Sequence, residues 1–257
     1  MKTTFLRSLL ITCAAFFMCS CDDVFQKIAK SLGEKNCTDK ALIQAGSDKR
    51  TLLFAKNHIY VVGKDGKYDP NMKTENPYSG AKWKNSDIVN FRYQQISDFF
   101  PTVNNILRDT GSNIYVYHSG YDIRVVTQDK IQAHLHQMLG ATGATRDLVD
   151  DVVKEDPNQI HVLWLWTSSS SAMAVGVVAG RYIAVGDDPI SGNKLNNMQF
   201  SHEFGHVLGF DTHVFNDPSN LMNDDSIGTK LNSQQLQTIW SSLNDPRDKL
   251  YKLTCDK

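Results

Sequence analysis

The sequence predicts an α+β fold, and three observations carry that expectation. Short runs rich in Ile, Val, Leu and Tyr are interspersed with longer stretches whose apolar residues recur at helical spacing. One continuous apolar run, Ile160-His161-Val162-Leu163-Trp164-Leu165-Trp166, has the length of a strand buried on both faces. Two β-prone segments, Ala172 to Val178 and Arg181 to Val185, flank Ala179-Gly180 and read as a hairpin.

Taken in order, residues 22–50 are polar and mixed, as expected of a tether or short prosegment. Leu52-Leu53-Phe54 and Ile59-Tyr60-Val61-Val62 are two short β-prone runs, followed by a loop rich in Gly, Pro, Asn and Lys from Gly63 to Asn85. Ile88, Phe91, Ile96, Phe99, Val103 and Ile106 share a helical period, with Ser86 as the expected cap and Pro101 expected to kink or divide the helix. Ile114 to Tyr117 and Ile123 to Val126 read as strands, and Lys130 to Leu139 and Arg146 to Lys154 as helices. A loop containing Pro189, Gly192 and Asn193 precedes one further helix.

That helix carries His202-Glu203-Phe204-Gly205-His206-Val207-Leu208-Gly209. Histidines four apart on a helix lie about 40° apart in azimuth and about 6 Å apart along the axis, so both imidazoles reach one metal ion. Glu203 stands where a carboxylate can take a proton from a water activated by that metal. With four glutamates and eight histidines in the chain, a chance H-E-x-x-H is rare but real, and its bland reading is an amphipathic helix with satisfied histidines. Gly209 can end the helix in a left-handed conformation and turn the chain, bringing His213 back as a third nitrogen ligand. Three protein ligands leave a fourth position open for water, the mark of a catalytic rather than a structural zinc. Downstream, Asp217-Pro218-Ser219-Asn220-Leu221-Met222 reads as a tight turn delivering a methionine.

These residues resemble the metzincin metallopeptidases, whose motif is H-E-x-x-H-x-x-G-x-x-H followed by a Met-turn. His202-Glu203-Phe204-Gly205-His206 matches the wording common in the matrixin branch. The resemblance spans roughly Asp87 to Leu243, with its specific part from His202 to Met222. It implies a zincin with a mixed, twisted sheet, an active-site helix and a small C-terminal subdomain, from about residue 210, ending in the helix Leu231 to Trp240. It also implies that Ala172 to Val178 is an antiparallel edge strand on which an extended substrate pairs. Zn2+ would be held by His202, His206 and His213, with Glu203 as general base and Met222 as a packed floor beneath the ligands rather than a ligand.

The sequence departs from that family at two places. The family's third histidine falls where this chain has Thr212, so His213 is one residue late and Asp211, the competing ligand, one early; neutral imidazole and the freedom at Gly209 favour His213. Val214, following it, assigns the chain to no subfamily. Two readings compete with a zinc endopeptidase: a surface-anchored binding protein on an inactive scaffold, against which intact Glu203 argues, and a zinc hydrolase of a non-peptide amide.

The N-terminus reads as an export signal, with Lys2 and Arg7 before an apolar Leu9 to Met18 that is too short to span a bilayer. Met18-Cys19-Ser20-Cys21 resembles a bacterial lipobox, giving a signal peptide at 1–20 and lipidation at Cys21; an ordinary cleaved signal is the alternative. Asp22-Asp23 resembles export signals of outer-membrane or cell-surface lipoproteins in Gram-negative bacteria. Loss of Lys2 and Arg7 from 27 basic side chains leaves 25 against 28 acidic ones, a balance with no footprint for nucleic acid. The expected partners are a protein or peptide substrate and, through the anchor, a membrane. Cys37 and Cys255 then read as one disulfide stapling the termini, with the catalytic domain expected over 51–257. The alternative, by resemblance to matrixins, is a Cys37 switch that blocks the zinc. Asp187-Asp188 and Asp224-Asp225 could hold Ca2+, but no specific calcium loop surrounds them. His58, His118, His134, His136 and His161 lack ligand spacing and read as structural or surface residues.

Overall fold

A computed structural model describes residues 49–75, 80–128, 144–165, 173–177, 181–186, 194–210, 212–225, 227–245 and 252–256. It bears out the α+β expectation. The elements are β1 (Lys49–Val62), β2 (Lys73–Glu75), β3 (Lys82–Lys84), α1 (Asn85–Asp109), β4 (Ile114–Val126), α2 (Ala144–Glu155), β5 (Ile160–Leu165), β6 (Met173–Val177), β7 (Tyr182–Gly186), α3 (Asn197–Val207), α4 (Ser233–Leu243) and β8 (Lys252–Asp256). The main sheet runs β4-β1-β5-β7-β6, with β8 also paired to β1. The β1–β4, β1–β5 and β5–β7 pairings are parallel, whereas β6 and β8 are antiparallel to their neighbours.

All six residues of β5 are buried, because both faces of the sheet are covered. Ile160, Val162 and Trp164 face a core shared with α1, α3 and α4, while Leu163 and Leu165 join α2 residues Leu148, Val149 and Val152 on the opposite face. Alternation along β7 divides likewise, Ile183 and Val185 to the first core and Tyr182 and Ala184 to the second. The residues from 210 to 245 add Phe210, Leu221, Met222, Leu231, Ile239 and Leu243 to the first core, so the C-terminal region is welded to the sheet's helical face.

Several boundaries differ from the sequence expectation. The two runs near residues 52 and 62 form one 14-residue strand, and β4 likewise joins two expected strands. Polar residues at Lys56 to His58 and His118 to Gly120 interrupt both runs, and the register shifts there between Ala55 and Asn57. Buried Asn57 is satisfied inside the fold, donating to the Gly120 carbonyl at 3.0 Å and accepting from Trp164 Nε1 at 3.1 Å. Helix α1 begins one residue before Ser86, with no side-chain cap from Lys84. Loop carbonyls of Met72 and Pro70 accept from the Asn85 and Ser86 amides instead. Pro101 lies within α1, which continues to Asp109 undivided. The expected hairpin forms as β6–β7 and places β6 at the end of the sheet path, in contact with α3. The C-terminal region does not end in a helix, since β8 follows α4 and returns to β1, setting Cys255 opposite Arg50. Cys21, Cys37, Asp211, the acidic pair at Asp187, the histidines at 134 and 136 and the helix expected from Lys130 lie outside the described residues.

Candidate metal centre

Helix α3 is built to hold two histidines against the molecule's C-terminal region. Its N-terminus is closed by a capping box, in which the Asn196 side chain accepts from the Met198 and Gln199 amides and the Gln199 side chain accepts from the Asn196 amide. Phe200, Phe204 and Val207 fasten one face to the core, with the Trp164 and Phe200 rings stacked at 5.8 Å. His202 and His206 are about 200–240° of azimuth from Phe200 and therefore project from the other side. Glu203, between them, is half-buried.

The chain leaves the helix through Gly209, whose φ of 121° belongs to glycine and whose missing Cβ would lie 2.9 Å from Ser242 Cβ. Arg181 closes this end, donating to the Val207 carbonyl at the helix C-terminus and to Ser242 Oγ on α4. Four residues after Gly209, His213 returns to the site. Its ring centroid lies 5.0 Å from that of His202 and 5.1 Å from that of His206. Nitrogens of His202, His206 and His213 all fall within 4.8 Å of one another, and the three residues could hold a metal ion.

The second nitrogen of each ring shows which atoms are available. His202 Nδ1 lies 2.8 Å from the Leu221 carbonyl, and His206 Nδ1 contacts the Phe210 carbonyl. A carbonyl oxygen only accepts, so both rings carry the proton on Nδ1 and present an Nε2 lone pair. His213 Nδ1 lies 3.2 Å from Asp224 Oδ1, and its Nε2 is 3.2 Å from His206 Nε2. The three Nε2 atoms thus converge. Burial pushes the His202 imidazole down to about 4, with the nearby His206 and His213 acting the same way and the Leu221 bond opposing, so the ring is neutral and ligand-ready at pH 7.

Met222, next to the Leu221 whose carbonyl meets His202, is fully buried. Its Sδ occupies the space that a Cβ on Gly205 would need, only 2.3 Å from that position. The turn holding Met222 is tied to the third histidine's strand of chain: the Val214 amide donates to the Met222 carbonyl at 2.7 Å, and Asn223 Nδ2 to the Val214 carbonyl at 2.9 Å. Asn220 and Gln235 exchange amide hydrogen bonds of 2.8 and 3.0 Å, linking the turn to the capping box of α4.

Sequence spacing found the three histidines and Met222. It missed the place of Asp224 beside His213, along with Arg181 and the Leu221 and Phe210 carbonyls. Of the other histidines, buried His58 and His161 adjoin one another on the α2 side of the sheet, away from this centre. No helix among the described residues is long and apolar enough to cross a membrane.

No family model and no characterised protein matches the chain. Among solved structures, one titled "Structure of a chaperone-substrate complex" is similar at a TM-score of 0.44 and 13% identity, over 74% of this chain and 30% of that one. The chain therefore spans under a third of that structure's length, and a likeness this loose bears on neither fold nor function.

Proposed function

We propose that this chain is a zinc-dependent endopeptidase of metzincin type. One observation carries the reading: three imidazoles converge on one point while every Nδ1 faces an oxygen. Nitrogens bound at about 2.0–2.1 Å to a tetrahedral zinc stand about 3.3 Å apart, and the 3.2 Å between His206 and His213 fits that edge. A three-nitrogen set leaves one position for water, and histidine without thiolate suits zinc. When bound, zinc supplies Lewis acidity that brings a water's pKa toward about 7 and polarises the substrate carbonyl.

The chain's own residues do the rest. His202, His206 and His213 would hold the metal through their ring nitrogens. Glu203 takes the attacking water's proton and passes a proton to the leaving amine, as general base and then acid. Strand β6, at the sheet edge against α3, offers backbone groups to an extended peptide, with side-chain selectivity left to pockets around the site. The N-terminal pattern supports export and anchoring through an acylated Cys21 at an outer membrane or cell surface.

Cleavage of mixed denatured proteins, with and without a chelator, tests the activity. Chelator-sensitive proteolysis restored by zinc supports it, whereas zinc binding without turnover leaves a binding protein on an inactive scaffold. Anchoring is tested separately: Cys21→Ala should shift the protein from membranes to the soluble fraction, and a wholly soluble wild type with an unmodified Asp22 N-terminus would sink it.

A further inference from the structure

We infer that Asp224 is the positioning residue that makes His213 a metal ligand despite its displaced place in the sequence. The inference rests on the metal-centre reading above. His202 and His206 stand on a capped helix, and their Nδ1 atoms meet backbone carbonyls, which cannot move without moving the fold. His213 has neither support. It stands in a loop beyond Gly209, is about one-third exposed, and its Nδ1 faces a side chain, Asp224 Oδ1 at 3.2 Å.

An imidazole without a fixed partner distributes its proton between both nitrogens, and only the Nδ1–H tautomer leaves Nε2 free to coordinate. A carboxylate beside Nδ1 selects that tautomer, sets the ring's direction and strengthens Nε2 as a donor. The Asp224 side chain is 62% exposed, and it is the chain beside it that is held in place. Asn223 Nδ2 donates to the Val214 carbonyl, Asn223 Oδ1 accepts from the Asp225 amide at 3.1 Å, and the Val214 amide donates to the Met222 carbonyl. The two residues therefore belong to one cross-linked piece of chain: His213 precedes Val214, and Asp224 follows Asn223. This arrangement lets the Met-turn accommodate a ligand one residue late, because the orienting carboxylate travels with the same hydrogen-bonded pair of segments.

Zinc affinity by chelator competition, with nitrogen NMR of the His213 ring in the metal-free protein at one fixed pH, tests the assignment. Wild type should show His213 as the Nδ1–H tautomer. Asp224→Ala should lose that preference and weaken zinc binding by about 10- to 100-fold. Asp224→Asn, which keeps an accepting oxygen, should recover most of both. The His202 and His206 signals and the melting temperature should not change in either variant. An Asp224→Ala protein with an unchanged His213 tautomer and zinc affinity within about twofold of wild type would overturn the inference, as would loss of affinity accompanied by general unfolding that Asp224→Asn shares. Peptide cleavage is not read, so an inactive protein with a locked His213 ring would refute the peptidase and still support Asp224.

Discussion

Two histidine clusters lie in this molecule with almost the same ring spacing and opposite chemistry. In the α3 cluster the ring centroids are 5.0, 5.0 and 5.1 Å apart; His58 and His161, across the sheet, stack at 5.2 Å. The difference is where the second nitrogen points. Around α3 each Nδ1 turns outward to an oxygen, so the Nε2 atoms face a common point. In the other cluster the nitrogens form a line: Asp122 Oδ1 to His58 Nδ1 at 2.7 Å, His58 Nε2 to His161 Nδ1 at 2.9 Å, and His161 Nε2 to the Asp156 carbonyl at 2.6 Å. Every nitrogen is consumed by a neighbour and none is left to bind an ion. Proximity of histidines therefore does not make a metal centre; orientation of their unused nitrogens does.

The inner cluster acts instead as a polar strut between β1, β4 and β5. Burial pushes the His161 imidazole down to about 4, more strongly than the Asp156 bond opposes it. Burial works to raise the Asp122 carboxyl, but the hydrogen bond and charge of His58, with Arg124 and Lys56, outweigh it and hold the group at about 2.

The comparison breaks first at Glu203. Glu203→Gln should lose peptide cleavage by at least about 10²-fold while retaining zinc, as removal of a positioned base does; metal analysis beside a peptidase assay checks this, and an active variant would remove the catalytic role. Next comes the third ligand. His213→Ala should weaken zinc binding by about 10²-fold or more, whereas His161→Gln leaves it within a few-fold, because its nitrogens are taken up in the other cluster, and Asp211→Ala should leave it largely intact if imidazole is the third donor. Chelator competition reads all three, and equal losses in His213→Ala and Asp211→Ala would return the question to the aspartate.

The inner cluster should show itself in acid. His161 has a lower pKa folded than its ordinary 6.5, so the unfolded chain binds the proton first as pH falls. Its contribution is present above pH 6.5 and is lost as pH falls through about 4, an effect of about 3 kcal/mol at most. Asp122 adds a loss in the same direction from pH 3.8 down through about 2. Urea unfolding of the metal-free protein at pH 7 and pH 4 should show a smaller pH dependence in His161→Gln than in wild type; identical dependences would mean His161 is not the group. Smallest is Gly205→Ala, whose new methyl must displace Met222 Sδ. A cost of about 1–3 kcal/mol is expected from overpacking, read as a lower melting temperature. An unchanged value would show that the Met222 side chain yields freely.

Much of the site could be read from local spacing. His202 and His206 are brought together by helical geometry alone, which any four-residue separation on a helix delivers. Gly209 and His213 were legible as a turn and a returning donor, and Met222 as the product of a Pro-containing turn. The strand β5 and the β6–β7 hairpin were legible too, since burial on two faces and a small-residue turn leave marks in a few consecutive residues. Where the expectation split β1 and β4 into halves, the reason is equally local: Lys56 to His58 and His118 to Gly120 look like breaks, and nothing nearby in sequence announces the Trp164, Gly120 and Asp122 partners that let Asn57 and His58 stay buried in a continuous strand.

By itself, then, the sequence determined the residue types at the centre, the pairing of two of its histidines by helical period, and the alternation that builds an α+β sheet, because each depends on repeats of two or 3.6 residues within one segment. Only the tertiary structure decided the rest: that Leu221, Phe210 and Asp224 supply the oxygens facing each Nδ1, that Gly205 makes room for Met222, and that β8 returns to β1. Those pairings join residues 4 to more than 200 positions apart. A ring nitrogen's role is set by whichever atom lies against it in space, and that neighbour is chosen by how the helices and sheet pack.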